Sequence, residues 1–223
     1  MNGLIIFGAT SLARLVRCYA EQDMGLKVHA FAVDRQYKTV DEFESLPVIE
    51  WQDAMRRFPV HEVSVFVAVG YRNMRARQAA YQSIRQSGYA LTNIVASSGY
   101  VAKDTVMGEN NIVMPGVVVE PGVTIGSNNV LWSNATVCHD TVIGNHNFIA
   151  ANTTLGGGVS LGDRNFIGFS SVVLQGRRIG NETLIGAQSL IDHDTADLSL
   201  YYGSPAKRIR ALEAEVGVAV ADA

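Results

Sequence analysis

Between Val106 and Gly144 the chain reads VMGENNIVMPGVVVEPGVTIGSNNVLWSNATVCHDTVIG, and the spacing of its aliphatic residues decides the fold. Counting by six from Met107 lands on Val113, Val119, Ile125, Leu131, Val137 and Ile143. The same count continues through Ile149, Leu155, Leu161, Ile167, Val173, Ile179, Ile185 and Ile191, fifteen stations with no insertion. A period of six suits neither the 3.6-residue turn of an α-helix nor the two-residue alternation of a hairpin strand. It suits a parallel β-helix of hexapeptides, in which each hexapeptide supplies one short strand and a turn and three of them close a triangular coil.

A second period supports the coil. Gly108, Gly126, Gly144, Gly162 and Gly180 recur every eighteen residues, each directly after an inward aliphatic. They are expected to line one corner, where a side chain would crowd the turn or where φ must be positive. Five coils should therefore run from about Val106 to Ile191.

The repeat accounts for the composition. The 223 residues are 48 % hydrophobic, 17 % charged and 8 % aromatic, with 21 glycines and only 5 prolines. That hydrophobic fraction excludes a disordered chain, and a stacked prism fills its interior with small aliphatics while confining charge to its corners. The net charge of −3 gives no electrostatic reason to expect nucleic acid or an anionic membrane as partner. No apolar run approaches the ~18 residues of a membrane span. The start of the chain has no basic segment or cleavage site before Leu4-Ile5-Ile6-Phe7, so no signal peptide is expected. Cys18 and Cys138 are too few for a disulfide framework and are expected reduced, and the whole reads as a cytoplasmic protein.

The first ninety-odd residues alternate strand and helix patterns. Strands are expected at Leu4–Phe7, Val28–Val33 and Val63–Val69. Helices should carry Leu12, Leu15, Val16 and Tyr19, with Ser11 as N-cap, then Trp51, Ala54, Met55 and Phe58, then Met74, Tyr81 and Ile84 before Gly88. This order predicts a small parallel sheet with right-handed crossovers, whose ligands would sit outside the carboxyl ends of the strands. Gly8-Ala9-Thr10-Ser11, Asp34 and Gly70 all fall at such ends. They read either as a nucleotide-type site, with helix amides receiving phosphate oxygens, or as turn glycines beside a solvated aspartate. Gly8 lacks the remainder of a dinucleotide fingerprint, so NAD is not expected.

With these segments, and with His139-Asp140 before Val142-Ile143-Gly144 and the closing Gly203-Ser204-Pro205-Ala206-Lys207, the chain resembles a family. It is similar over nearly its whole length to hexapeptide-repeat sugar acetyltransferases that modify nucleotide-linked amino sugars or sialic acids. The resemblance implies a Rossmann-like domain over residues 1–100 and a left-handed β-helix over 101–223. It implies an acetyl-CoA-dependent reaction without metal on an amino or hydroxyl group of a nucleotide-linked sugar in surface-glycan biosynthesis, in a homotrimer whose active sites lie between subunits. By residue-wise correspondence Phe148, Gly157, Phe169 and Ala187 are the cofactor-contacting positions. Gly8, Thr10, Ser11, Leu12, Asp34 and Gly70 are the substrate-contacting ones, and Lys207 can meet a CoA phosphate. Two positions depart from the pattern: Leu12 replaces a histidine near the sugar nucleotide, and Phe148 replaces one near the acetyl group.

The chemistry centres on His139. A thioester is already activated, so transfer needs a base for the acceptor N–H or O–H and a donor for the tetrahedral oxyanion. His139 lies two residues past the inward Val137, on an outer corner, and Asp140 can raise its basicity. One coil above His139 is Gly157, in Gly156-Gly157-Gly158, where a bare backbone N–H can meet a thioester carbonyl. The alternative for this triplet is a loose turn. Cys138 suggests a covalent acyl-enzyme, but direct transfer is simpler because the donor is itself activated. His146 is expected to face solvent, His29 and His61 to lie at the surface, and His193 to belong to the tail or to an interface. Three other readings remain: a zinc-dependent carbonic anhydrase on the same prism, a non-catalytic scaffold that binds a nucleotide sugar, and an O-acetyltransferase acting on a free sialic-acid-type sugar. Whether Ala211–Ala223 forms an ordered helix is left open by Gly217 and the Val/Ala run.

Overall fold

The computed structural model describes residues 2–220, which separate into two units: residues 2–70 with 79–96, and residues 71–78 with 97–220. The expected boundary at residue 100 is thus found at 96/97, and Tyr71–Gln78 group with the second unit.

In the first unit β1 (Gly3–Phe7) is an apolar run with every residue buried, which suits a central strand covered on both faces. It is followed by α1 (Ser11–Gln22), β2 (Lys27–Val33), a hairpin of β3 (Glu42–Phe43) and β4 (Leu46–Glu50), α2 (Trp51–Arg57) and β5 (Val63–Val67). The order in the sheet is β3-β4-β2-β1-β5, parallel except for the β3–β4 hairpin. The hairpin was not foreseen: β3 has only two residues, and β4 begins with half-exposed Leu46 and exposed Pro47 before buried Val48 and Ile49, so neither opens on an apolar run. α1 buries Leu12, Ala13, Val16 and Ala20 on one face. Its N-cap is Thr10, in extended conformation and without a side-chain capping bond, and Ser11 is the first helical residue rather than the cap. Phe7, Ile5, Ala32, Val65 and Val67 form the core with Trp51, whose ring meets Phe7 edge-on at 5.8 Å.

In the second unit two-residue strands repeat every six positions, from Tyr100–Val101 to Leu190–Ile191. Three parallel faces result. The first carries Tyr100–Val101, Val118–Val119, Thr136–Val137, Thr154–Leu155, Val172–Val173 and Leu190–Ile191. The second runs from Val106–Met107 to Arg178–Ile179. The third runs from Ile112–Val113 to Thr183–Ile185 and is continued by the hairpin Ser199–Gly203/Ala206–Ala211. Every pairing inside the prism joins residue n to n+18 without a shift, and every station from Val113 to Ile191 is buried. Within the second unit the coiling begins one hexapeptide earlier than expected, at Tyr100.

The glycine corner is set by crowding, not by φ. Gly126 has an ordinary φ, and a Cβ there would lie 2.6 Å from the Gly144 carbonyl oxygen. The left-handed position comes two residues later, at Asn110, Asn128, His146, Arg164 and Glu182, with φ between +50° and +62°. Beside it runs a buried asparagine ladder. The Asn129 N–H donates to the Asn111 side-chain oxygen, Asn147 N–H to Asn129, and Asn165 N–H to Asn147, each at 2.8 Å. Buried backbone donors are thereby satisfied where the strands pause.

At the top, where no further coil follows, side chains of the closing segment replace it. The N–H groups of Arg178, Gly180 and Asn181 donate to Asp194, Thr195 and Asp197 side chains at 2.9, 3.1 and 2.8 Å. The described part of the tail contains no helix: Ala206–Ala211 is a strand, Ala219 bridges to Asn73, and residues 221–223 lie outside the described set. No described helix is long and apolar enough to cross a membrane.

Candidate active site

His139 stands on the corner between the first and second faces, immediately past the strand Thr136–Val137. Its backbone N–H donates to Oε2 of Glu120, from the coil beneath, at 2.8 Å. Its Nδ1 is 2.9 Å from Oδ2 of Asp140, which takes the left-handed turn position at φ +58° and so swings its carboxylate back toward the ring. The hydrogen bond to Asp140 holds the imidazole pKa above its ordinary value; desolvation opposes this, while the charges of Asp140 and Glu120 add to it. Adjacent side chains do face each other here, because the positive φ folds the chain between them.

Gly157 lies on the His139 ring. A Cβ at this position would be 2.6 Å from both Cε1 and Nε2, so only glycine leaves the imidazole where it is. The triplet is no loose turn: Gly156 would collide with the Gln175 backbone at 2.7 Å, and Gly158 has φ +67° and donates its N–H to the His139 carbonyl at 2.8 Å. Between them, the Gly157 N–H has no acceptor among the described residues. Together His139, Asp140, Gly157, Gly158, Gln175, Gly176 and Arg177 line a cavity of about 420 Å³. Cys138 is half-buried, and burial, aided by Glu120, raises its thiol pKa, so it is held as the unreactive thiol.

Other expected residues fall elsewhere. Phe148 is a correction: it is 2 % exposed, on the third face, stacked on Phe166 with ring centroids 5.4 Å apart and covered by Tyr71 at 4.7 Å. It packs the unit and presents no surface to a cofactor in this chain. Phe169 and Ala187 are both exposed and sit one coil apart, on the corner between the third and first faces and not on the His139 corner. His146 is also a correction. It is 6 % exposed, bonded through Nδ1 to Asn128 Nδ2 at 2.9 Å, and its pKa falls to about 4, chiefly through burial and then through the charge of Arg77. The segment Tyr71–Gln78 that carries Arg77 covers this corner, a contact from far away in sequence. His29 is half-buried beside Phe58, with rings 5.5 Å apart, whereas His61 is exposed. His193 is paired with Asp192 at 2.6 Å. Lys207 is exposed on the closing hairpin. Among the described residues no three His, Cys, Asp or Glu side chains cluster as a metal site.

In the first unit the strand order turns around between β1 and β5, which makes the crevice beyond these two strands the switch point of the sheet. Gly8 and Gly70 flank it. Gly8 has φ +123°, and a Cβ there would meet the Ala68 carbonyl oxygen at 2.8 Å. Thr10, Ser11 and Asp34 are exposed at the same edge. Leu12 is 5 % exposed and belongs to the core, which corrects its place among the substrate-contacting residues: the helix turns it away from the crevice. Glu120 is the residue of this candidate site that motif reading missed, since a side chain bonding a backbone N–H leaves no spacing signature.

The repeat folds as a left-handed β-helix, and on its edge a histidine–carboxylate pair faces a bare glycine N–H, an arrangement suited to acyl transfer. Residues 104–139 and 140–175 match the family described as bacterial transferase hexapeptide (six repeats). Along its length the chain is similar to several proteins of known structure. The acetyltransferase domain of PglB from Neisseria gonorrhoeae FA1090 is 23 % identical with a TM-score of 0.85, covering 94 % of this chain and 100 % of that domain. PerB from Caulobacter crescentus, solved with CoA and GDP-perosamine, is 26 % identical with a TM-score of 0.76, covering 93 % and 97 %. WeeI from Acinetobacter baumannii AYE is 17 % identical with a TM-score of 0.68, covering 92 % and 99 %. No curated protein sequence matches the chain.

Proposed function

We propose that the protein transfers an acetyl group from acetyl-CoA to an amine or hydroxyl of a nucleotide-linked sugar, with His139 as general base. The observation that carries this reading is the His139 ring lying against Gly157, whose N–H has no acceptor among the described residues. Neutral His139 accepts at Nε2 the proton of the acceptor N–H or O–H as the acceptor attacks the thioester carbonyl carbon. Asp140 accepts the Nδ1–H, which fixes the tautomer and stabilises the imidazolium that forms. The Gly157 N–H donates to the carbonyl oxygen as it becomes negative. When the C–S bond breaks, the departing thiolate takes the proton from Nε2. No acyl-enzyme is needed, and the raised pKa of Cys138 argues against one.

The acceptor class is supported by the crevice of the first unit, where Gly8 permits close backbone approach and the uncapped start of α1 points its amides outward beside Thr10, Ser11, Asp34 and Gly70. The relatives with bound GDP-perosamine point the same way. A surface-glycan sugar made before export fits this acceptor class and a cytoplasmic site of action. The placement of Phe169 and Ala187 on a different corner from His139 supports an active site shared between copies, as in a homotrimer. The outward residues of the first face, Tyr100, Val118, Thr136, Thr154, Val172 and Leu190, carry no charge and suit burial against such a copy.

The test is His139→Ala, assayed by thiol release from acetyl-CoA with UDP-, GDP- and dTDP-linked amino sugars and free sialic acids as acceptors. The expected outcome is a loss of about 10²–10⁴-fold with the fold intact. Full activity in the variant removes the general-base assignment.

A further inference from the structure

The cavity beside His139 contains a cation that the reaction as described does not use. Arg177 occupies a column whose members in the three coils beneath, Val123, Thr141 and Val159, are small and buried. In the coil above Val159 a long charged side chain replaces a methyl-bearing one, and it lines the cavity with His139 and Gly157. Its Nε is buried and has no hydrogen-bond partner among the described residues. The other buried or half-buried arginines of this unit are all engaged: Arg75 with Glu182 at 2.6 Å, Arg77 with the Asn128 carbonyl at 2.7 Å, Arg164 with Glu182 at 3.3 Å. The nearest acid that feels Arg177 is Asp192, which is itself bonded to His193 at 2.6 Å. An arginine nitrogen buried without a partner costs free energy unless a ligand completes it.

The charges around the cavity are also ordered along the prism. Glu120 lies one coil below the level of His139, and Asp140 is at its level. Arg177 stands two coils above Thr141, a rise of about 10 Å at the spacing of paired strands, with Arg178 next to it. Among the residues lining the cavity the lower end carries the acid Asp140 and the upper end the cation Arg177, so a ligand with an anionic group lies with that group upward.

We propose that Arg177 is the anion-binding residue of the His139 cavity and receives phosphate oxygens of a substrate. Guanidinium is suited to this because its planar fork meets two phosphate oxygens at once. The proposal rests on the acyl-transfer reading for the identity of the substrates. Two of them carry a diphosphate, the acyl donor and the nucleotide-linked acceptor.

Binding measured by calorimetry on the full chain separates these sources, with CoA, pantetheine and GDP as probes. Arg177→Val suits the column, where Val123 and Val159 already stand, and Arg177→Lys keeps the charge without the fork. If the phosphates are the donor's, Arg177→Val weakens CoA at least tenfold and leaves pantetheine unchanged, and Arg177→Lys restores part of the loss. If they are the acceptor's, the tenfold loss appears for GDP and not for CoA. Wild-type affinity for both CoA and GDP in a folded Arg177→Val overturns the proposal while leaving acyl transfer standing. A wild-type protein that binds neither CoA nor GDP overturns the acyl-transfer reading and this proposal with it.

Discussion

At His139 a single turn conformation organises the chemistry. Asp140 adopts φ +58°, so its carboxylate reaches the preceding ring at 2.9 Å, and that hydrogen bond raises the imidazole pKa. A base works only in its neutral form, so kcat/KM should rise with pH through an apparent pKa above the ordinary ~6.5 of histidine. Asp140→Asn removes the charge and the strongest raising interaction. Its profile should shift to lower pH while its plateau falls, because an amide stabilises imidazolium poorly and can hold the wrong tautomer. A profile that keeps the wild-type midpoint would show that Asp140 does not act on the base. This site was largely legible in the sequence, since a coil of eighteen places residue 157 over residue 139 whatever the turn details. Glu120 was not legible, because its bond goes to a backbone N–H that every residue possesses.

At the level of elements, the corner column Asn110, Asn128, His146, Arg164, Glu182 shows what periodicity cannot reveal. The period places His146 on a corner, and corners usually face water. Here Arg77, fully buried with its pKa lowered to about 9 by desolvation, closes over the column and binds the Asn128 carbonyl. Only the long-range docking of Tyr71–Gln78 decides the burial, so the solvent-facing expectation failed. Further along the same corner Arg75 and Arg164 both reach Glu182, whose carboxyl is held below its ordinary pKa chiefly by the Arg75 bond. The consequence for His146 has a definite sign. Its folded pKa of about 4 lies below the unfolded ~6.5, so the unfolded chain binds the proton more readily between these values. Stability is full above pH 6.5 and is lost as pH falls toward 4, by at most about 3 kcal/mol. Asn tolerates the left-handed conformation and already stands at 110 and 128 of this column. His146→Asn should therefore melt near the wild-type temperature at pH 7.5 and lose less of it on acidification to pH 4.5. Equal acid sensitivity in both proteins would assign the loss to other groups.

For the whole molecule, the aliphatic stations made the prism readable in advance, because a fifteen-fold repeat of inward residues has no competing arrangement. The small sheet was readable in its central strands, where buried runs such as Leu4–Phe7 leave little choice. Its edge hairpin at Glu42–Glu50 was missed, since two- and five-residue strands carry little pattern of their own. In the proposed shared site, the His139 corner of one copy and the Phe169–Ala187 corner of another meet the same ligand. Refolding His139→Ala together with Phe169→Asp should thus restore activity that neither variant has alone, to roughly a quarter of wild type for random closed assembly. A mixture as inactive as its parts would place the complete site within one chain.

The unshifted n to n+18 pairing makes the edge above His139 a ruler. Residues 139, 157 and 175 stand on successive rungs about 4.8 Å apart. Inserting one whole coil would lift everything above it by a single rung and keep every corner in phase. Any other insertion would rotate the upper groups onto a different face and expose aliphatic stations to water. The reach from the base to the closing segment at Asp192–Asp197 is therefore quantised. Proteins built on this plan can change the length of ligand they accommodate along the edge only in whole steps.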